Sequence, residues 1–117
     1  MLSGYSQGGQ LVHNAAAKLS ASQTAFVNSV VVSHEHHLLQ SSPSIQCSCG
    51  TELRFDQIFG DPDNGKPVGS IPSSKVLIIC HVGDDICLGG DLILAPHLTY
   101  ALNAQQAASF VVSKAGL

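Results

Sequence analysis

The chain has 117 residues, five Lys and Arg against eight Asp and Glu for a formal net charge of −3, four Cys, six His and no Trp. That length holds one small domain, and 44% hydrophobic against 11% charged residues is the composition of a chain that buries a core, not of a disordered tail. The cations Lys18, Arg54, Lys66, Lys75 and Lys114 are scattered and form no patch for nucleic acid or an anionic membrane surface, and the longest apolar runs fall far short of the ~20 residues that span a bilayer.

Met1-Leu2-Ser3 reads as the last residues of a strand, and Gly4-Tyr5-Ser6-Gln7-Gly8-Gly9 leads into Gln10 to Leu19, whose apolar residues Leu11, Val12, Ala15, Ala16 and Leu19 recur at helical spacing. After a connection over Ser20 to Thr24, the β-branched stretch Ala25 to Val32 predicts a buried strand of a parallel sheet, and Lys75 to Cys80 predicts its parallel neighbour. Between them, Ser33 to Gln57 carries His34, His36, His37, Cys47 and Cys49 without either periodicity, and the Pro- and Gly-rich run Asp61 to Ser74 is loop. Leu92 to Leu94 is a short apolar segment broken by Pro96. Asn103 to Lys114 predicts a closing amphipathic helix with Asn103 as its N-cap.

Strand stub, Gly4-x-Ser6-x-Gly8 and helix together match a nucleophile elbow. A sharp strand-to-helix turn holds a serine hydroxyl out at the top of a sheet, and the glycines two residues either side leave room for that turn. The helix N-terminus and the backbone N–H of Gln7 can then stabilise an oxyanion. Such a serine needs a base and an orienting acid, in the order Ser, Asp, His. Asp84 follows the second strand, with adjacent Asp85 as a rival, and His97 lies in the loop before the last helix. Cys80 and Cys87 flank the Asp84 loop at a spacing that fits a local disulfide and no common zinc motif. The His34, His36, His37, Cys47, Cys49 group has zinc-type ligands, but Cys-x-Cys and His-x-His-His lack the spacing of a structural zinc site. No metal and no cofactor is expected. Met1-Leu2-Ser3-Gly4 has neither the charged nor the apolar region of a secretory signal, at odds with an oxidised cysteine pair.

Gly4-Tyr5-Ser6-Gln7-Gly8, Phe59-Gly60-Asp61-Pro62, Cys80-x-x-Gly83-Asp84-x-Ile86-Cys87 and Ala95-Pro96-His97-Leu98-x-Tyr100 stand in the order they have in the cutinases, and the chain resembles that family of secreted fungal serine esterases and the related acetylxylan esterases. The resemblance implies a three-layer α/β-hydrolase sandwich, here N-terminally truncated, because the family's first strands, signal peptide and second oxyanion loop lie upstream of the elbow. It implies Ser6 as nucleophile, His97 as base, Asp84 rather than Asp85 as acid, Gln7 as an oxyanion donor and a Cys80–Cys87 disulfide. Leu92, Leu94 and Leu98 would border the substrate crevice. It further implies an extracellular monomer acting on ester substrates such as cutin, with no nucleic-acid or membrane partner. An acetylxylan-esterase-type activity and a catalytically inactive fragment are the alternatives. Within a single partial domain over 1–117, the segment 32–57 is expected to be a non-family insert and a poorly packed excursion. The family runs from its Val-Val strand directly into Ile58-Phe59, and GTGAGT for Val32-Ser33 with CAG for Gln57 would make the segment a retained intron translated in frame.

Overall fold

The computed structural model describes residues 1–33, 68–86 and 92–116. Among them, three short strands form one sheet in the order β1 (Leu2–Tyr5), β2 (Val30–Ser33), β3 (Val76–Ile79), and both pairs are parallel. Val30 stands between Leu2 and Val76, and Ser33 between Tyr5 and Ile79. Side chains alternate across the pleat, so each row of this register faces one side.

Both sides are covered. Val30, Val32 and Ile78 pack with Val27, Val68, Ile71 and the inner face of helix α1 (Gln7–Ala16), contributed by Val12 and Ala16. Val31, Leu77 and Ile79 pack on the other side with Tyr100 and with Ala107, Phe110 and Val111 of helix α3 (Ala104–Ala115). This helix–sheet–helix layering explains why β2 and β3 read as unbroken apolar runs. No helix among the described residues is long and apolar enough to cross a membrane. Ile79 is fully buried, so Ile79→Ala is expected to cost about 2–5 kcal/mol, read as a lower urea midpoint at unchanged slope.

Several details differ from the sequence expectation: α1 spans Gln7–Ala16 and not Gln10–Leu19, β2 starts later, and Asn103 does not cap α3 with its side chain. Ala25 ends a short helix, α2 (Ala21–Ala25), instead of opening β2. The cause is a capping box: Ser20 Oγ accepts the Gln23 N–H at 3.3 Å and Gln23 Oε1 accepts the Ser20 N–H at 2.9 Å, which satisfies two donors that a helix start leaves open. The strand begins only at Val30, after Lys75 Nζ has tied down the Val27 carbonyl at 2.9 Å. Asn103 precedes α3 but makes no capping bond with its side chain. Its Oδ1 lies 2.6 Å from His81 Nε2 and its Nδ2 donates to Gln106 Oε1. Val32 and Ser33, the first residues of the expected insert, continue β2, with Val32 fully buried. The rest of that segment, residues 34–57, lies outside the described residues.

Candidate active site

Ser6 follows β1 and Asp84 follows β3 at the C-terminal ends of the parallel strands, the edge where open α/β sheets place their sites. β1 ends at Tyr5, and Ser6 carries the chain into α1 with φ 55° and ψ −128°. It is the one non-glycine residue at positive φ among those described, a conformation that costs about 1–3 kcal/mol and persists only where its surroundings impose it. Two backbone bonds do so: the Ser6 N–H donates to the Ser33 carbonyl at the end of β2 (3.1 Å), and the Ser6 carbonyl accepts the Gly9 N–H (2.8 Å). Serine at a helix N-cap normally folds its hydroxyl back onto the helix. Ser6 makes no such bond, so its hydroxyl is not spent on capping. Gln7 is the first residue of α1, where backbone N–H groups have no partner within the helix.

Asp84 follows β3 through a turn in which its N–H donates to the His81 carbonyl at 3.1 Å and Gly83 adopts φ 78°. Its side chain is fully buried, so a carboxylate there needs its lone pairs filled. Oδ1 accepts the Ile86 N–H at 3.2 Å, and Oδ2 accepts the Tyr100 hydroxyl at 2.8 Å and faces His97 Nδ1 at 3.3 Å. His97 is 3% exposed and sits in a 3₁₀ turn, Ala95–Leu98, that Pro96 opens. An ionised carboxylate only accepts, so the shared proton belongs on Nδ1 and a neutral ring leaves Nε2 as the acceptor. The 3.3 Å separation is at the loose end for a hydrogen bond, as catalytic pairs without substrate often are. Asp85 points elsewhere: its Oδ2 accepts the Leu92 N–H at 2.9 Å.

The elbow and the histidine loop are joined by Tyr5. Its hydroxyl donates to the His97 carbonyl at 2.7 Å, and its ring lies 5.2 Å from the imidazole. Ser6 therefore neighbours a residue bonded directly to the His97 main chain. Leu92, Leu94 and Leu98 are exposed on the segments flanking His97. Leu98 also lines an open cavity of about 390 Å³ with Tyr5, Ser33, Tyr100 and Ala101. Cys80 is buried and disulfide-bonded, whereas Cys87 lies outside the described residues, as do His34, His36, His37, Cys47 and Cys49. Among the described residues, no three His, Cys, Asp or Glu side chains gather as a metal-ligand group. Tyr5, His81 and Tyr100 are the site residues to which sequence reasoning assigned no role. Tyr5 and Tyr100 stand inside the quoted motifs, yet nothing in their spacing announces a partner so distant in the chain.

The cutinase family model matches residues 1–54 and 56–115. A cutinase of Monilinia fructicola is 47% identical over 116 residues, covering 99% of this chain and 45% of the relative. One from Botryotinia fuckeliana is 46% identical over 117 residues, covering 100% and 45%. The chain thus spans about half the length of the curated relatives it matches. Among solved structures, Trichoderma reesei cutinase in complex with a C11Y4 phosphonate inhibitor superposes with a TM-score of 0.68 at 41% identity, covering 97% of this chain and 40% of the other. An acetylxylan esterase superposes at 0.71 with 25% identity, covering 97% and 58%. The parallel sheet between helices is that of the α/β hydrolases, and on the match of family model, relatives and fold together the chain belongs to the cutinase family.

Proposed function

We propose that the chain carries the Ser-His-Asp machinery of a cutinase-type serine esterase, with Ser6 as nucleophile, His97 as base and Asp84 as the acid. The observation that carries this reading is the buried Asp84–His97 pair, held beside the strained Ser6 elbow by the bond from Tyr5 to the His97 carbonyl. Ser6 Oγ attacks the ester carbonyl and its proton passes to His97 Nε2, while Asp84 stabilises the imidazolium that forms. The developing oxyanion is met by the Gln7 N–H and the positive end of α1. His97 then returns the proton to the departing alcohol, and water, activated by the same imidazole, releases the acid from Ser6. A bridge from Cys80 to Cys87 would pin the loop that presents Asp84.

The exposed Leu92, Leu94 and Leu98 favour an apolar acyl chain, as in the polyester cutin, met outside the cell by a monomeric enzyme. The superposition on an acetylxylan esterase supports a second reading, in which short acetyl groups on a polysaccharide are removed. Segment 32–57 is taken as an insertion in the family's strand, whose first two residues, Val32 and Ser33, complete β2.

The test joins this chain, without residues 32–57, behind the upstream part of the Monilinia fructicola cutinase. Hydrolysis of a short p-nitrophenyl ester is expected from the fusion and not from its Ser6→Ala variant, which should form no acyl-enzyme. The 117-residue chain alone is expected to show little or no turnover, because loops must be held within about 0.5 Å of productive positions. A fusion that folds and remains inactive overturns the triad reading, a silent 117-residue chain beside an active fusion establishes that the chain alone is an inactive fragment, and preference for acetylated xylan over longer acyl esters establishes the second reading.

A further inference from the structure

Among the described residues, Tyr100 and His97 both meet Asp84 Oδ2, and the shorter bond is not the one to His97. Tyr100 donates its hydroxyl at 2.8 Å, against 3.3 Å for His97 Nδ1. That hydroxyl also accepts the His81 N–H at 2.9 Å. A backbone N–H can only donate, so the single phenolic proton is directed at the carboxylate.

The Tyr100 ring has little freedom. It is 7% exposed, packs with Val31, Leu77 and Ile79, and stacks on the His81 ring with centroids 4.0 Å apart and planes 9° from parallel. Its other neighbours are the His97 ring, edge-on at 6.4 Å and 82°, and the Tyr5 ring at 5.9 Å. His81 is itself fixed from the opposite side, with Nδ1 2.9 Å from the Pro96 carbonyl and 3.0 Å from Thr99 Oγ1, and Nε2 2.6 Å from Asn103 Oδ1. The frame runs from the end of β3, through His81 and Tyr100, to the carboxylate.

We propose that Tyr100 is a positioning residue for the esterase: oriented by His81, its hydroxyl holds Asp84 Oδ2 where it meets His97 Nδ1, and so fixes the imidazole tautomer in which Nε2 is the acceptor for the Ser6 proton. This rests on the reading of Ser6, His97 and Asp84 above. Without the hydroxyl the buried carboxylate turns to find another donor, and the alignment with His97 is lost.

The test uses the 117-residue chain labelled with ¹⁵N-histidine, and reads the far-downfield Nδ1–H proton of His97, assigned by its absence in His97→Gln and Asp84→Asn. Tyr100→Phe, which keeps the ring, is expected to lose that resonance. Replacing Tyr100 by p-aminophenylalanine, which keeps a donor, is expected to retain it, and this variant decides the matter if Tyr100→Phe does not fold. A resonance unmoved in folded Tyr100→Phe, or missing from the p-aminophenylalanine variant, overturns the proposal. In the active fusion, Tyr100→Phe should lower kcat about 10- to 100-fold at unchanged KM, with no further loss in an Asp84→Asn background. An equal kcat per titrated site overturns the positioning role. Failure of the esterase reading is seen separately, as a wild-type fusion without turnover while the resonance pattern is as described.

Discussion

Asp84→Asn in the active fusion is expected to lower kcat by about 10⁴-fold while KM stays nearly unchanged, as the same exchange does in serine proteases with this constellation. An amide group is almost the same size as a carboxylate, so the packing around a fully buried side chain is kept. Its chemistry is not. The Tyr100 hydroxyl and the Ile86 N–H are both donors and both need an acceptor, but the asparagine has only one oxygen. With that oxygen kept on the Ile86 N–H at the Oδ1 position, the NH₂ group takes the Oδ2 position opposite His97 and forces Nδ1 to become the acceptor, whereas the reverse orientation sets NH₂ against the Ile86 N–H, donor against donor. The ring proton then moves to Nε2, the atom that accepts from Ser6 in the proposed mechanism, and the negative charge opposite the imidazolium has gone. Stopped-flow acylation with a p-nitrophenyl ester measures the step directly. A fall of less than tenfold would remove Asp84 from the acid's role.

Gly4→Val is expected to abolish the native fold, with a loss above about 4 kcal/mol, the range reached only when something rigid is displaced. A Cβ at Gly4 would stand far inside contact distance of the Gly8 carbonyl and of the Gly9 nitrogen. Those atoms are backbone at the start of α1 and cannot swing away like the end of a side chain. Gly8 is different, since a Cβ there meets nothing within 4 Å. It lies inside the helix, where replacing glycine by alanine gains about 0.5–1 kcal/mol. Gly8→Ala is therefore expected to fold at least as stably as the wild type. Urea midpoints of the two variants check both statements, and a Gly4→Val chain that unfolds like the wild type would mean that strand and helix separate more readily than their packing indicates.

The contrast between these glycines shows where reading the sequence stops. Gly4-x-Ser6-x-Gly8 was legible as an elbow because local geometry dictates it: an apolar stub, a glycine turn and a helical apolar period lie within a few residues. What was not legible is that one glycine is required by contact and the other is tolerated. The strands at Val30–Ser33 and Val76–Ile79 were legible because burial on both faces leaves a run of β-branched residues. The start of β2 was misplaced because Ser20 and Gln23 cap a turn of helix whose residues look equally apt for a connection. Asp84 and His97 could be placed by order and motif, and their mutual distance follows from the way β3 and the 3₁₀ turn meet. Tyr5, His81 and Tyr100 work through contacts between distant parts of the chain, and such contacts leave no periodic trace.

The bond from the Tyr5 hydroxyl to the His97 carbonyl crosses 92 positions of the sequence, and that span has a kinetic meaning. Contacts between distant residues carry a loop-closure cost before they return any stabilisation, so they form late on the folding pathway. β1 must pair with β2 and β2 with β3 before the Asp84 turn and the His97 loop have a surface to settle on. A chain whose sheet has formed but whose last loops have not docked would hold a finished elbow with no base beside it. On the proposed assignment of Ser6 and His97, reactivity would then be switched on only by the final closure, and a newly made chain would pass through its aggregation-prone stages without an armed nucleophile.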